Sequence, residues 1–141
     1  MTKLVLFAEE GEPNPKYKKI LVTGLLSHHS RQGHTRKSKT FSVFLLDEAG
    51  RTLGGIIVTF LWNGMEINSL WVSNPIRNQG WGTKLMNFVE KEALKRKCTV
   101  AYTNTFPWQA PGFYEKLGYR IYGNLPDFPR GSSLTYYFKQ L

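Results

Sequence analysis

The stretch Trp71–Leu94, WVSNPIRNQGWGTKLMNFVEKEAL, decides the fold, because it leads from a strand end through a glycine-spaced turn into a helix. In the turn, Arg77–Gly82, two glycines stand one residue apart. Glycine permits a sharp turn, and a helix start offers free N–H groups and the positive end of the helix dipole. The turn is therefore suited to an anion, typically a phosphate. The helix is predicted by apolar residues at helical spacing: Leu85, Met86, Phe88, Val89, Ala93 and Leu94.

The pattern in this turn is R-x-x-G-x-G, formed by Arg77, Gly80 and Gly82. It lacks the Gly-Lys-Ser/Thr end of a P-loop, and Leu85 stands where the dinucleotide fingerprint requires a further glycine. Two glycines alone would also fit a plain strand-to-helix connection. With the strand before it and the helix after it, however, the pattern resembles the coenzyme-A-binding motif of the Gcn5-related N-acetyltransferase (GNAT) superfamily.

A second motif follows in the order that this superfamily shows. Ala110–Tyr119 contains A-x-x-F-Y-E-K-L-G-Y, which resembles the carboxy-terminal helix motif of the same superfamily. Two motifs in the right order are more specific than either alone. The resemblance covers Met65–Leu141 well and the first sixty residues loosely.

Composition limits the class of protein. The 141 residues suit one domain with a real core, and 19 basic against 10 acidic residues give a net charge of +9, which favours anionic partners. The single cysteine, Cys98, excludes an intrachain disulfide and indicates a reducing compartment. The apolar run Leu4–Ala8 is too short for a secretory signal, and Leu53–Trp62 is too short to span a bilayer. We therefore expect a soluble, cytoplasmic protein.

The remaining elements follow from periodicity and turn residues. A helix is expected to begin at Pro15, with Ile20, Leu21, Gly24, Leu25 and His28 on one face. A short helix is expected before Gly118, which suits a left-handed cap. The predicted strands are Lys3–Ala8, Phe41–Leu46, Leu53–Leu61, Met65–Val72, Cys98–Thr103, Tyr119–Asn124 and Ser133–Leu141.

These elements and the resemblance together predict an α/β (α+β) fold. We expect a single GNAT-like domain with a mixed, mostly antiparallel sheet of about six to seven strands and helices on both faces. The strand–helix–strand unit around the central turn should contribute a parallel pair. The resemblance implies that residues 1–64 shape the acceptor site and that residues 65–141 bind acetyl-CoA and catalyse. Family members usually have two helices before the second strand, and only one is predicted here, which leaves the acceptor open.

The resemblance also implies which residues bind the cosubstrate. The apolar alternation slips near Ser69–Leu70, as a β-bulge or a strand end would produce. In the family a bulge here holds the pantetheine arm and points an amide at the thioester carbonyl. The implied acetyl-CoA contacts are the main chain of Leu70, Trp71 and Val72 at the acyl group, Asn104 at the pantetheine, and Arg77, Asn78, Gln79, Gly80, Trp81, Gly82 and Thr83 at the pyrophosphate.

Two residues are implied as catalytic, and each has an ordinary structural alternative. Tyr114 matches the tyrosine that protonates the departing thiolate, although its apolar neighbours would also suit a core aromatic. Glu66 matches a glutamate that accepts the amine proton, directly or through water, and it would equally suit an exposed strand carboxylate. Asn104 could orient Tyr114 or simply start a turn.

The implied function is acetyl transfer from acetyl-CoA to a primary amine of a small molecule or protein in a ternary complex. A non-catalytic acyl-CoA-binding sensor is the alternative, and a homodimer is left open. Arg31–Lys39 is basic but short and lacks interleaved aromatics, which argues against nucleic acid. His28 and His29 lack further ligands at metal-binding spacing, so no metal is expected. The loop Leu125–Ser132, with Asp127 and Arg130, is either a rigid connector or a wall of the acceptor pocket.

Overall fold

The computed structural model describes residues 2–141, in two compact units, residues 2–36 and 37–141. The first unit contains helix α1, Pro15–Arg31, which begins at the predicted proline. The side chain of Asn14 caps it by accepting a hydrogen bond from the Lys16 N–H at 2.9 Å. No residue of this helix is buried, so the apolar face predicted for it does not pack into a core.

The predicted strand at Lys3–Ala8 is wrong. These residues form no strand in the structure, and the apolar side chains within them are exposed: Leu4, Val5, Leu6 and Phe7. An alternating sequence becomes a strand only when a neighbouring strand accepts its backbone hydrogen bonds. No strand in residues 2–141 pairs with this segment.

The second unit is built on a six-stranded sheet. The strands are β1 Lys39–Leu46, β2 Thr52–Leu61, β3 Gly64–Val72, β4 Val100–Thr105, β5 Arg120–Pro126 and β6 Ser133–Gln140. Their order in the sheet is β1-β2-β3-β4-β6-β5. The β3/β4 pair is parallel and the other pairs are antiparallel, which confirms the predicted mixed sheet. Helix α2, Trp81–Lys95, connects β3 to β4, and helix α3, Pro111–Lys116, precedes β5.

One face of the sheet packs against α2 and forms the core. The buried side of the helix consists of Leu85, Met86, Val89 and Ala93. These side chains belong to one cluster with residues of the central strands: Ile56, Val58, Met65, Ile67 and Ala101. The apolar stripe is narrower than predicted, because Phe88 and Leu94 are exposed. Phe88 lies at the margin of the stripe, where its ring stacks on Phe41 at a centroid distance of 6.4 Å.

The predicted β-bulge is present in β3. Ile57 of β2 faces Ser69, whereas the next residue, Val58, faces Ile67, so Asn68 is the extra residue. Its side-chain oxygen accepts a hydrogen bond from the Thr59 hydroxyl at 2.8 Å. A bulge shifts the alternation by one position. Accordingly, the positions of β3 that contact the core change after Asn68 from Met65 and Ile67 to Leu70 and Val72.

The parallel strands β3 and β4 pair over a short length and then diverge. Their register runs from Gly64 opposite Val100 to Glu66 opposite Tyr102. Beyond that point the Thr103 hydroxyl donates to the Ile67 carbonyl at 3.0 Å. The carboxyl ends of both strands are therefore not joined by a backbone ladder, which leaves room for a groove between them.

None of the helices found within residues 2–141 combines the length and the apolar character that crossing a bilayer requires.

Candidate active site

A groove of about 850 Å³ opens between the diverging ends of β3 and β4. Three segments line it: the bulged end of β3, the turn that leads into α2, and the end of β4 with the loop and helix after it. The groove brings together most of the residues predicted to bind the cosubstrate, namely Leu70, Trp71, Val72, Arg77, Asn78, Gly80, Trp81, Gly82, Thr83 and Asn104. It also includes the predicted acid, Tyr114.

The turn before α2 presents a run of backbone N–H groups without protein acceptors. Two backbone bonds bracket it, from Arg77 N–H to the Asn74 carbonyl at 3.2 Å and from Lys84 N–H to the Gly80 carbonyl at 3.0 Å. Between them, the N–H groups of residues 78 to 83 donate to no acceptor in the part of the chain that the structure describes. Asn78 and Gly80 both have left-handed backbone angles, with φ of 61° and 83°. Successive amides in such a turn form a concave site for an anion.

The two glycines of the turn are needed for different reasons. Gly80 precedes the first helical residue at φ 83°, a conformation that is unfavourable for other residues, while the space around it is open. A Cβ on Gly82 would lie 3.3 Å from two ring carbons of Phe113. Gly82 therefore allows α2 to approach α3 closely, and Gly80 allows the chain to turn.

Arg77 ties the turn to the strand before it. Its Nε donates to the Val72 carbonyl at 2.9 Å. A guanidinium has five N–H donors, so this bond leaves others for an anion in the groove. The side chain of Gln79 does not line the groove; its Nε2 lies 3.5 Å from the Pro75 carbonyl oxygen. Gln79 therefore contributes only its backbone N–H to the run of free amides.

Tyr114 on α3 is buried, with 7% of its surface exposed, and it lies at the inner wall of the groove. Its ring packs edge-on against Phe113 and Tyr119, at centroid distances of 5.2 Å and 5.8 Å. Burial raises the pKa of Tyr114, and a side-chain hydrogen bond with Thr103 lowers it to a smaller extent. The phenol is therefore protonated at neutral pH. Tyr114 therefore belongs to the core cluster and also lines the groove with a protonated phenol.

Glu66 does not line the groove. Its neighbours Met65 and Ile67 are buried in the core, so alternation along β3 places its side chain on the opposite face of the sheet. The structure brings together the anion site, the bulge, Asn104 and Tyr114, and it places Glu66 one residue before the groove begins.

The loop after β4 adds groove residues that the sequence did not single out. Trp108 and Gln109 line the groove. The Trp108 ring stacks on Phe106 at 4.7 Å, and Gln109 Oε1 accepts from the Phe106 N–H at 2.8 Å. Their position in the sequence could have indicated them. Both residues follow the end of β4, and ligands of α/β sheets bind beyond the carboxyl ends of the strands.

Comparison with known proteins places this geometry in a family. The family described as acetyltransferase (GNAT) domain matches residues 39–121, more than half of the chain. The chain is 30% identical over 107 residues to blasticidin-S acetyltransferase of Streptomyces morookaense. The aligned region covers 75% of this chain and 79% of that protein.

Solved structures agree with this match. The crystal structure of an acetyltransferase from Bacillus cereus ATCC 14579 superposes with a TM-score of 0.81 and 27% identity, over 94% of this chain and 98% of that chain. The fold is also that of an aminoglycoside 6'-N-acetyltransferase complexed with coenzyme A, with a TM-score of 0.64 and 24% identity over 72% of each chain. The chain thus belongs to the GNAT family of acetyltransferases.

Proposed function

We propose that the protein transfers the acetyl group of acetyl-CoA directly to a primary amine of a small molecule or protein. The observation that carries this proposal is the groove, in which the free N–H groups of residues 78 to 83, the bulged end of β3 and the buried phenol of Tyr114 line one space. The coenzyme A bound to the aminoglycoside acetyltransferase of the same fold supports it.

The residues present fit acetyl-CoA as cosubstrate. The amides of residues 78 to 83, with Arg77 beside them, would bind the pyrophosphate, because they offer donors with no protein acceptor. The pantetheine arm would lie between β3 and β4 and contact Asn104, which lines the groove at the end of β4. The main chain at Leu70–Val72, beyond the bulge, would hold the acetyl group.

In the proposed reaction the amine nitrogen forms a bond to the acetyl carbon, and the carbon–sulfur bond breaks. A main-chain N–H beyond the bulge stabilises the charge that develops on the carbonyl oxygen. The departing thiolate takes the proton of Tyr114 and leaves as the free thiol. The nitrogen loses one proton to Glu66 or to water, that proton passes to solvent, and solvent returns one proton to Tyr114. Holding amine and thioester together can contribute about 7–11 kcal/mol to lowering the barrier.

Glu66 is proposed to accept the amine proton, directly or through a water molecule. Its side chain lies on the other face of the sheet from Tyr114, so the two groups would act from opposite sides of the thioester. Glu66 also lies at the last paired position of β3 and β4, next to the opening between the strands.

A thiol-release assay with acetyl-CoA over a panel of amines tests the proposal, with mass spectrometry of the product. We expect free coenzyme A to appear only when an acceptor is present, together with a product heavier by one acetyl group. Acetyl-CoA binding without thiol release for any amine class would contradict catalysis and support the sensor alternative.

A further inference from the structure

A row of four side chains crosses the face of the sheet that lies away from α2. Glu66 on β3 is opposite Tyr102 on β4, Tyr102 is opposite Phe138 on β6, and Phe138 is opposite Arg120 on β5. Directly opposed residues point to the same face of a sheet. The row therefore has a carboxylate at one end, a guanidinium at the other, and two aromatic rings between them.

A second cavity, of about 480 Å³, lies on this row. It is lined by Val100, Tyr102, Tyr122 and Phe138. Tyr122 is the extra residue of a bulge in β5, where Ile121 faces Tyr137 and Gly123 faces Tyr136. The Tyr122 ring stands edge-on to Phe138 at 5.7 Å and is 55% exposed. The cavity is thus an apolar, mostly aromatic pocket that is accessible from solvent.

Both charged ends of the row lie close to this pocket. Burial raises the pKa of the Tyr122 phenol, and so do the nearby Tyr136 and the Glu66 carboxylate. The Arg120 guanidinium lies 5.4 Å from the centroid of the Phe138 ring. A carboxylate beside aromatic faces attracts an ammonium group, and a guanidinium matches a carboxylate.

The pocket adjoins the groove along the two parallel strands, because residues that line the two spaces follow one another in β4. Glu66 and Tyr102 form the last paired position of the parallel strands, and the next residues, Ile67 and Thr103, line the groove. Asn104, two residues after Tyr102 on the same face of β4, also lines the groove. An amine held beside Glu66 would therefore lie at the opening between the strands.

We propose that this pocket binds the acceptor, and that the acceptor is a small amine with a flat ring and a carboxylate at its far end. The ammonium group lies at Glu66, the ring among Tyr102, Tyr122 and Phe138, and the carboxylate at Arg120. Three inter-strand spacings separate the backbones of Glu66 and Arg120, about 14 Å. The Arg120 guanidinium lies 5.4 Å from the Phe138 ring, which leaves room for one ring between it and Glu66. This assignment rests on the proposed acetyl transfer.

The first test compares 4-(aminomethyl)benzoate with benzylamine, which differs from it only by the carboxylate, and with butylamine, which lacks the ring. We expect kcat/KM for 4-(aminomethyl)benzoate to exceed that for benzylamine by about tenfold, as one charge-assisted contact provides. Butylamine should have the lowest kcat/KM of the three amines. Arg120→Gln should abolish the preference for the carboxylate. Lys95→Gln, which removes the same charge from an exposed site on α2, should retain it.

A second measurement does not depend on turnover. Saturation-transfer NMR should show a signal from 4-(aminomethyl)benzoate bound to the wild-type protein. The signal should be weak with Arg120→Gln and Tyr122→Ala and as strong as the wild-type signal with Lys95→Gln. Amine acetylation with equal kcat/KM for the two ring amines would overturn the acceptor assignment and leave the proposed function standing. Without thiol release for any amine, the proposed function fails. In that case the NMR data alone test whether the pocket binds 4-(aminomethyl)benzoate. Equal signals from the wild type and the three variants, or no signal from the wild type, would overturn the assignment of the pocket.

Discussion

At the scale of single residues, Tyr114 and Gly80 show how chemistry depends on local surroundings. Tyr114 is held between aromatic rings, so its phenol has a defined position, and burial keeps it protonated. A Cβ added to Gly80 would meet no atom within 4 Å, yet the backbone angle of this residue excludes most other residue types. Tyr114 is therefore proposed to act through its hydroxyl group, whereas Gly80 is required for its backbone conformation.

We predict that Tyr114→Phe lowers kcat by about a hundredfold or more while the Kd of acetyl-CoA stays the same, because only the proton donor is removed. Burial raises the pKa of Tyr114, so its protonated form persists above the ordinary range for tyrosine, about pH 10. The loss of kcat caused by its ionisation should therefore occur above that pH in the wild type and be absent in the variant.

The matched control is Tyr17→Phe, a change at an exposed tyrosine on α1. It should leave kcat and its pH profile unaltered. A Tyr114→Phe enzyme with wild-type kcat would contradict the role of this phenol.

Gly80→Ala should reduce the free energy of unfolding by about 1–2 kcal/mol, because an alanine at φ 83° is strained. Gly80→Asn should cost less, since asparagine tolerates the left-handed region, as Asn78 does two residues earlier. Urea denaturation of the three proteins measures the difference. Equal stability of the alanine and glycine forms would show that this backbone angle is not adopted in solution.

At the scale of elements, Glu90 joins three parts of the second unit. Its carboxylate on α2 accepts from the Tyr119 hydroxyl, just before β5, at 2.9 Å and from Lys139 Nζ on β6 at 3.0 Å. Because Tyr119 also packs against Tyr114, this cluster supports the side chain that is proposed to donate the proton. Burial, followed by the charge of Glu90, raises the pKa of Tyr119 well above its usual range.

Tyr119→Phe should lower the free energy of unfolding by about 1.5–3 kcal/mol, as loss of a hydrogen bond to a charged group does. The folded pKa of this tyrosine lies above the unfolded one, so its contribution is complete below about pH 10 and is lost as the pH rises further. Urea denaturation at neutral and at alkaline pH should therefore show the variant losing less stability on alkalinisation than the wild type. An unchanged stability at neutral pH would contradict the bond to Glu90.

Local patterns predicted the elements that local forces determine. The helical period and the glycine turn predicted α2, and the slip in alternation predicted the bulge to within a residue of Asn68. The strand at Lys3–Ala8 was wrong because strand formation needs a partner that no local pattern reveals. The row from Glu66 to Arg120 was equally invisible, since it depends on the register of four strands that lie far apart in the chain.

At the scale of the whole molecule, the net charge of +9 and the turn before α2 are both expected to favour the binding of acetyl-CoA. The groove and the aromatic pocket are both lined by residues of the second unit, Lys37–Leu141. We propose that the excess of basic residues attracts the phosphates of acetyl-CoA from a distance and that the free amides bind them at short range.

The Kd of acetyl-CoA should therefore rise several-fold when the salt concentration increases from about 50 mM to about 500 mM, because salt screens the long-range attraction. S-acetylpantetheine, which lacks the nucleotide and its phosphates, should bind more weakly and with little dependence on salt. Calorimetry at both salt concentrations measures this. If the Kd values of the two ligands depended equally on salt, the phosphates would not be the source of the long-range attraction.

We propose that the backbone amides of residues 78 to 83 bind the pyrophosphate of acetyl-CoA. Titrating ¹⁵N-labelled protein with acetyl-CoA tests it most directly. We predict large, saturable shifts of these amide resonances, which the phosphate-free S-acetylpantetheine does not reproduce. Saturable binding of acetyl-CoA that leaves these resonances unmoved would contradict the account.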